Sequence, residues 1–488
     1  MNKLPLPNKH TTASRAAHTV VHLRRYSIFY FAQVCAWFTV LVYYPGYMSP
    51  DSVAQLMQAR FGVNSNVYPP LMDYIWHFTD KVIPGPAGML ILHNIIFWHA
   101  LALIAYVTIR RPTWRFVFVA LAGFWPPTYG SLGTIWKDVG MQVFLLFGLA
   151  LILYAHYLRR MWPLWISFIC LFVAGGYRHN AIAAAVPMIV LIVVELSRLL
   201  PHRQARLYRM LKVRGALRAF YVTVAIGSMG VLAVTLGVVF TYHVADVKLE
   251  TTALVYDLVA ISVRQNTNYL PPYYNPGGTI TVDDMKGMYS PLHVNSLGDP
   301  SIRTFLHVAN PSPKAIAIVQ TLSDSQARDL ERRWIAAVLD NFGSYMEHHR
   351  ILAEHLLVVK PNQPWYPYVA GIDPNPFGLT FKPSRLNKEV MSIIEGSAFR
   401  SPLYSAWIYY LVVALCVAAS FLFEFEYART VQMLAVSSYL YFLSIFMFGM
   451  SGDFRYNIWM LTCAYICPVL LLMGRRKAAV EATETLVA

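Results

Sequence analysis

Four short polar clusters interrupt an otherwise apolar chain, and they carry the groups that a transfer reaction needs. They are Ser49-Pro50-Asp51-Ser52, Trp136-Lys137-Asp138, Tyr177-Arg178-His179-Asn180 and Asp453-Phe454-Arg455-Tyr456-Asn457. Three carboxylates (Asp51, Asp138, Asp453) stand with three cations (Lys137, Arg178, Arg455), flanked by Ser52, His179, Asn180 and Tyr456 as substrate-binding candidates. Cations at a membrane boundary suit a phosphate whose hydrocarbon tail lies in lipid. A carboxylate beside them suits a general base that takes a proton from an attacking hydroxyl. Together they describe transfer of a group from a phosphate-linked lipid to a hydroxyl acceptor. One such cluster is what a short loop ordinarily carries. Four on one face, each joining an acid to a base or flanking one, describe a shared polar cavity, because charges at the ends of apolar helices are costly unless paired or used.

The elements that must position these clusters are membrane spans. The chain of 488 residues is 57% hydrophobic and only 13% charged, with a mean hydropathy of +0.44. Soluble domains carry about 25% charged residues, so a soluble multidomain enzyme and a disordered chain are both excluded. Apolar runs long enough to cross about 30 Å of hydrocarbon fall near 27–45, 88–109, 116–135, 139–158, 163–179, 181–198, 220–242, 403–423, 430–450 and 458–473. The reading is an all-α polytopic membrane protein of about ten helices. The first run, preceded by Arg24 and Arg25 with no small-residue cleavage site after it, reads as a retained signal anchor.

Charge orients the bundle. With both termini in the cytoplasm, the basic residues of 1–25, 110–115, 159–160, 198–218, 429 and 475–477 fall on the inner side, which carries essentially all of the +15 net charge. The basic loop 198–218 then rests on anionic headgroups, and nucleic acid is not a partner. All four polar clusters fall on the outer side.

Three regions follow: a transmembrane module over 1–242 with a first outer loop at 46–87, an outer domain of mixed polarity over 243–402, and a C-terminal module over 403–488. Within the outer domain the periodicity of Trp334, Ala337, Leu339, Phe342, Tyr345 and Leu352 predicts one amphipathic helix over 323–359, packed against the membrane mouth of the protein. The five cysteines lie in apolar runs and read as packing residues.

Metal chemistry has weaker support. His179 and His293 are outer candidates, but His348 and His349 are adjacent on a helix and are expected to point to different faces. His93 and His99 read as core residues. No metal ligands are assigned, and a divalent cation is the one cofactor left open. A Gly-rich phosphate loop is absent, so direct use of a nucleotide sugar has no local support.

The segment from Pro45-Gly46 through Ser49-Pro50-Asp51-Ser52 and Gln55 to Tyr68-Pro69-Pro70 resembles the GT-C superfamily of polytopic glycosyltransferases, and within it the protein-mannosyltransferase-like group. The resemblance implies that Asp51 is the catalytic base and Asp138 the second acidic position, with Lys137 placed for the donor phosphate. It also implies that Arg178 and Asp453-Phe454-Arg455-Tyr456 hold the lipid phosphate, with Ser52, Gln55, His179 and Asn180 near the substrate. Asp51 is a single acid where several members have a pair, and Tyr68 stands where many have His. The donor implied is a polyprenyl-phosphate sugar, the acceptor a hydroxyl of a glycan, lipid or protein, and the outcome inversion at the anomeric carbon. The location implied is the inner (cytoplasmic) membrane with the site facing outward. A polysaccharide polymerase or ligase, a flippase or transporter of a lipid-linked glycan, and a non-catalytic envelope assembly factor are the alternatives. Transporters favour internal repeats and helices broken at mid-membrane depth, and the sequence shows no repeat.

Overall fold

Pro126 and Pro127 divide what the hydropathy pattern reads as a single span at 116–135. In the computed structural model, helix α5 (Pro112–Gly123) ends before them and α6 (Pro126–Leu132) starts on them. Proline lacks the amide that an uninterrupted helix needs there, and its ring clashes with the preceding turn. The structure describes residues 9–62, 64–65, 68, 70–199, 244–245, 250–318, 320, 322–423 and 425–473. The expected span at 220–242 and most of the basic loop 198–218 lie outside them.

The other helices of the first region are α1 (Lys9–Tyr43), α2 (Pro50–Phe61), α3 (Pro70–Val82), α4 (Ala87–Thr108), α7 (Lys137–Leu158), α8 (Trp162–Tyr177) and α9 (Ala181–Leu199). Beyond it come α10 (Glu250–Gln265), α11 (Asp324–Asp340), α12 (Phe342–Leu356), α13 (Arg385–Arg400), α14 (Ala406–Leu422), α15 (Ala428–Phe448) and α16 (Ile458–Met473). Among the described residues six helices are long and apolar enough to cross a membrane: Tyr26–Tyr43, Ala87–Thr108, Lys137–Leu158, Ala181–Leu199, Ala428–Phe448 and Phe454–Met473. Trp162–Tyr177 and Ala406–Leu422 are apolar but shorter. The chain is therefore a helical, multi-pass membrane protein. Among the described residues extended structure is slight: two-residue strands Asn64–Ser65 and Val244–Ala245 pair in parallel.

Close helix contacts build the bundle. In lipid there is little hydrophobic force between helices, so small residues and interhelical hydrogen bonds do that work. A Cβ at Gly140 of α7 would stand 2.0 Å from the Tyr177 ring of α8, so only glycine permits this approach. That contact sets the start of α7 against the end of α8. Gln142 donates to Thr462 Oγ1 at 2.6 Å, joining α7 to α16. Ser437 of α15 donates to the Ala184 carbonyl of α9 at 2.6 Å and accepts the Trp459 indole N–H at 2.9 Å.

A separate apolar cluster is built around Val255, Tyr256, Val259, Leu330 and Tyr345. The single amphipathic helix expected over 323–359 is two helices. Ser323 caps the first by accepting from the Gln326 amide, and Asn341, at φ −130° and ψ 40°, breaks the run before α12 begins. The second half packs against α15 and the turn at 454–457. All five cysteines are buried thiols.

Candidate active site

The backbone around Asp51 is held from two sides. Gly46, at φ +115°, turns the chain out of α1 in a conformation that side-chain-bearing residues rarely adopt. The next residues bond to two distant segments. Tyr47 N–H donates to Gly133 O at 2.8 Å and its carbonyl accepts from Ile135 at 3.0 Å, while Met48 exchanges bonds with Gly371 and Asp373, both at 2.9 Å. Ser49 then caps α2 and Pro50 occupies its first turn, where a missing amide costs nothing. Ser49 Oγ also accepts the Trp136 indole N–H at 3.0 Å.

This pinned helix start presents Asp51 to the fourth cluster. Arg455 Nη1 donates to Asp51 Oδ2 at 2.8 Å. The same guanidinium holds Asp453 Oδ2 through Nε and Nη2, each at 2.9 Å, and its Nε lies 3.8 Å from Asp138 Oδ2. Arg178 pairs with Asp138, which is fully buried. Tyr456 lies under both arginines, 4.3 Å from the Arg178 guanidinium carbon and 5.4 Å from that of Arg455. Asp51, Asp138, Arg178, Asp453, Arg455 and Tyr456 thus form one network at one end of the bundle. Lys137 lies beside it, its ammonium 4.9 Å from the Tyr68 ring centre.

A cavity of about 170 Å³ opens on this network, lined by Asp51, His293, Trp365, Tyr366, Asp453 and Arg455 among others. Asp51 is the accessible acid, with 29% of its side chain exposed against 3% for Asp453 and none for Asp138. Desolvation pushes the Asp51 carboxyl up. Arg455 and Lys137 outweigh it and hold the group well below the usual carboxylate range. The resting group is an ionised carboxylate.

Other expected site residues serve the frame or stand apart. Ser52 is buried, donates to the Ile135 carbonyl at 2.8 Å and accepts from the Ser49 amide. Gln55 is buried and donates to the Met72 sulfur at 3.2 Å. His179 is exposed, and Asn180 is half-buried in the turn between α8 and α9. The expected metal candidate His293 lines the cavity instead. A strand-like bridge to Ser451 ties it to the segment that carries Asp453 and Arg455.

Three further residues near the site have no role assigned from the sequence. Tyr68, read from sequence only as a departure from a pattern, donates to Asp51 Oδ1 at 3.2 Å. Trp136 lies under Arg455, 5.1 Å from its guanidinium carbon. Asp73, on the first turn of α3, is 1% exposed, and neither carboxylate oxygen has a well-aligned hydrogen-bond partner. The available signal was an acid three residues past Pro70 in the apolar stretch Pro-Leu-Met-Asp-Tyr-Ile-Trp.

Burial pushes Asp73 up to about 8, with Lys137 and the Gln55 amide lowering it only in part. Its folded pKa therefore exceeds the unfolded value of about 3.9, and the protonated acid favours the fold. That stabilisation is complete below about pH 4 and is lost as pH rises towards 8. Asp73→Asn, which imitates the protonated acid, should gain thermal stability over the wild type steadily across that interval and level off above it. Melting curves in detergent at a series of pH values measure this, and a difference independent of pH would contradict it.

No family model, curated protein or solved structure matches the chain.

Proposed function

We propose that the protein is a membrane glycosyltransferase that moves a sugar from a polyprenyl-phosphate donor to a hydroxyl acceptor. The observation that carries this reading is Asp51, an ionised and accessible carboxylate fixed at a cavity beside a guanidinium that can take a phosphate. The donor and its acceptor (a glycan, a lipid or a protein) are read from this chemistry and from the GT-C resemblance.

The reaction balances on these residues. The acceptor oxygen attacks the anomeric carbon while its proton passes to an Asp51 carboxylate oxygen. The bond from that carbon to the phosphate oxygen breaks, and its electron pair leaves with the polyprenyl phosphate. Attack opposite the leaving group inverts the centre. Arg455 has two tasks in sequence. In the free protein it neutralises Asp51 and keeps it a weak base. A donor phosphate competes for the same guanidinium, and bidentate Arg–phosphate pairing is strong. Once Arg455 turns to the phosphate, Asp51 loses its partner and becomes more basic as the acceptor arrives.

Incubating purified protein in lipid nanodiscs with radiolabelled polyprenyl-phosphate sugars tests the reading. Transfer of label to an added glycan, lipid or peptide hydroxyl supports it. Movement of intact donor across the bilayer without transfer supports the flippase alternative and overturns it.

The reading places the protein in the inner membrane with both termini in the cytoplasm and residues 243–402 outside, following the distribution of basic residues. A reporter active only after export, fused after residue 300, should be active. A cytoplasmic signal there would reverse the orientation.

A further inference from the structure

Away from that cavity, α10 and α12 bring three metal-binding side chains together. Asp257 comes from α10, and His348 and His349 from α12. All three are buried, at 5%, 0% and 2% exposure. Expected on separate faces, the two imidazoles both reach the same carboxylate. Asp257 Oδ1 lies 3.6 Å from His348 Nε2 and 3.2 Å from His349 Nε2, and the three candidate ligand atoms are within 4.8 Å of one another.

Hydrogen bonding leaves the inward atoms unsatisfied. His348 Nε2 and both ring nitrogens of His349 have no aligned hydrogen-bond partner. Buried polar atoms rarely stay so without an ion or water between them. Two atoms facing away from the cluster, His348 Nδ1 and Asp257 Oδ2, are by contrast held. The Tyr289 hydroxyl is 2.8 Å from His348 Nδ1, and the Trp334 indole N–H donates to Asp257 Oδ2 at 2.9 Å. Such outer partners fix the ring tautomer and carboxylate orientation at metal sites.

The spacing fits a small cation. Zinc binds nitrogen and carboxylate oxygen at about 2.0–2.2 Å in a tetrahedron, which puts neighbouring ligand atoms about 3.3–3.6 Å apart. The two separations from Asp257 Oδ1, 3.2 and 3.6 Å, sit at that edge length. A carboxylate with two imidazoles is also a donor set suited to zinc and its neighbours rather than to magnesium or calcium.

We propose that Asp257, His348 and His349 form a binding site for a divalent transition-metal cation, zinc foremost, which fastens α10 to α12. The site has a mechanical connection to the candidate active site. The far end of α12 accepts the Asn457 side-chain N–H on the Leu356 carbonyl at 2.7 Å, and Asn457 belongs to the turn that carries Arg455. The metal therefore secures the helix against which that turn rests.

The test uses the full-length protein, purified in detergent without a polyhistidine tag and without chelator. Elemental analysis should find about one zinc per chain, and the triple variant Asp257→Asn, His348→Gln, His349→Gln should have lost it. Because that variant could misfold, wild-type protein is also stripped with a chelator and titrated with zinc and with cobalt. Expected are a lowered melting temperature restored by zinc, and the visible d–d bands of four-coordinate cobalt. Protein that purifies without metal, shows no melting shift with added zinc and gives no cobalt bands would overturn the proposal, leaving an imidazole–carboxylate ion pair. Metal retained in full by a folded triple variant would overturn it equally.

Discussion

Asp51→Asn is expected to slow sugar transfer by about 10² to 10⁴ while leaving the protein folded. A neutral amide cannot accept the hydroxyl proton, so the loss falls on the chemical step. The competing role for Asp51, capping α2, is already filled: Ser49 is the N-cap residue and its amide donates to Ser52 Oγ at 3.2 Å. Losing a charge from the first turn costs about 0.3–1 kcal/mol at most exposed sites. Arg455 also keeps Asp453 at 2.9 Å when Asp51 is neutralised, so no buried cation is stranded.

The same residue should shape the pH profile. A base works only when deprotonated, so activity falls as pH drops through its pKa. In the free protein Arg455 and Lys137 hold Asp51 well below the usual carboxylate range against the upward push of burial, so kcat/KM should persist to unusually low pH. In the donor complex Arg455 faces the phosphate instead, and the acid limb of kcat should lie at higher pH than that of kcat/KM. Measuring both profiles with saturating and limiting donor checks this. A folded Asp51→Asn protein with the wild-type rate would remove Asp51 from the chemistry.

How far these residues could be read from the sequence depended on whether their partners were local. Ser49-Pro50 announces a helix start in two residues, and α2 begins there. The clusters at 136–138, 177–180 and 453–457 sit at the ends of apolar runs, and the runs brought most of their members together. Signals failed where a distant residue decided. Whether neighbouring histidines on a helix diverge depends on what fills the groove between them, and in α12 that is Asp257, far off in sequence. Ser52 and Gln55 carry polar side chains next to Asp51, yet the carbonyl of Ile135 and the sulfur of Met72 claim them. Asp73 lacks a charged neighbour in sequence to mark it. Its environment arises only when α3 packs against α2 and α8.

The cations of the site should separate into two kinds when each is removed. Arg178 is committed to Asp138, whose side chain is fully buried and whose other ion-pair partner among the described residues is Arg455 Nε at 3.8 Å. Arg178→Ala leaves that carboxylate nearly uncompensated, and breaking a buried pair from one side costs about 3–5 kcal/mol. The expected result is a large fall in melting temperature, much of it recovered by adding Asp138→Asn, since the amide no longer needs a countercharge. Lys137 makes no ion pair among the described residues and is only half-buried. It is free to meet a phosphate, and Lys137→Ala should leave the melting temperature almost unchanged. A hydrogen bond to a charged group contributes about 1.5–3 kcal/mol, so donor affinity should fall by roughly 10- to 100-fold. Thermal unfolding and donor titration of Arg178→Ala, Arg178→Ala with Asp138→Asn, and Lys137→Ala distinguish these roles. If Arg178→Ala keeps full stability and loses only donor affinity, Arg178 is a phosphate ligand and its pairing with Asp138 is incidental. If Lys137→Ala binds donor as the wild type does, the phosphate rests on Arg455 without Lys137.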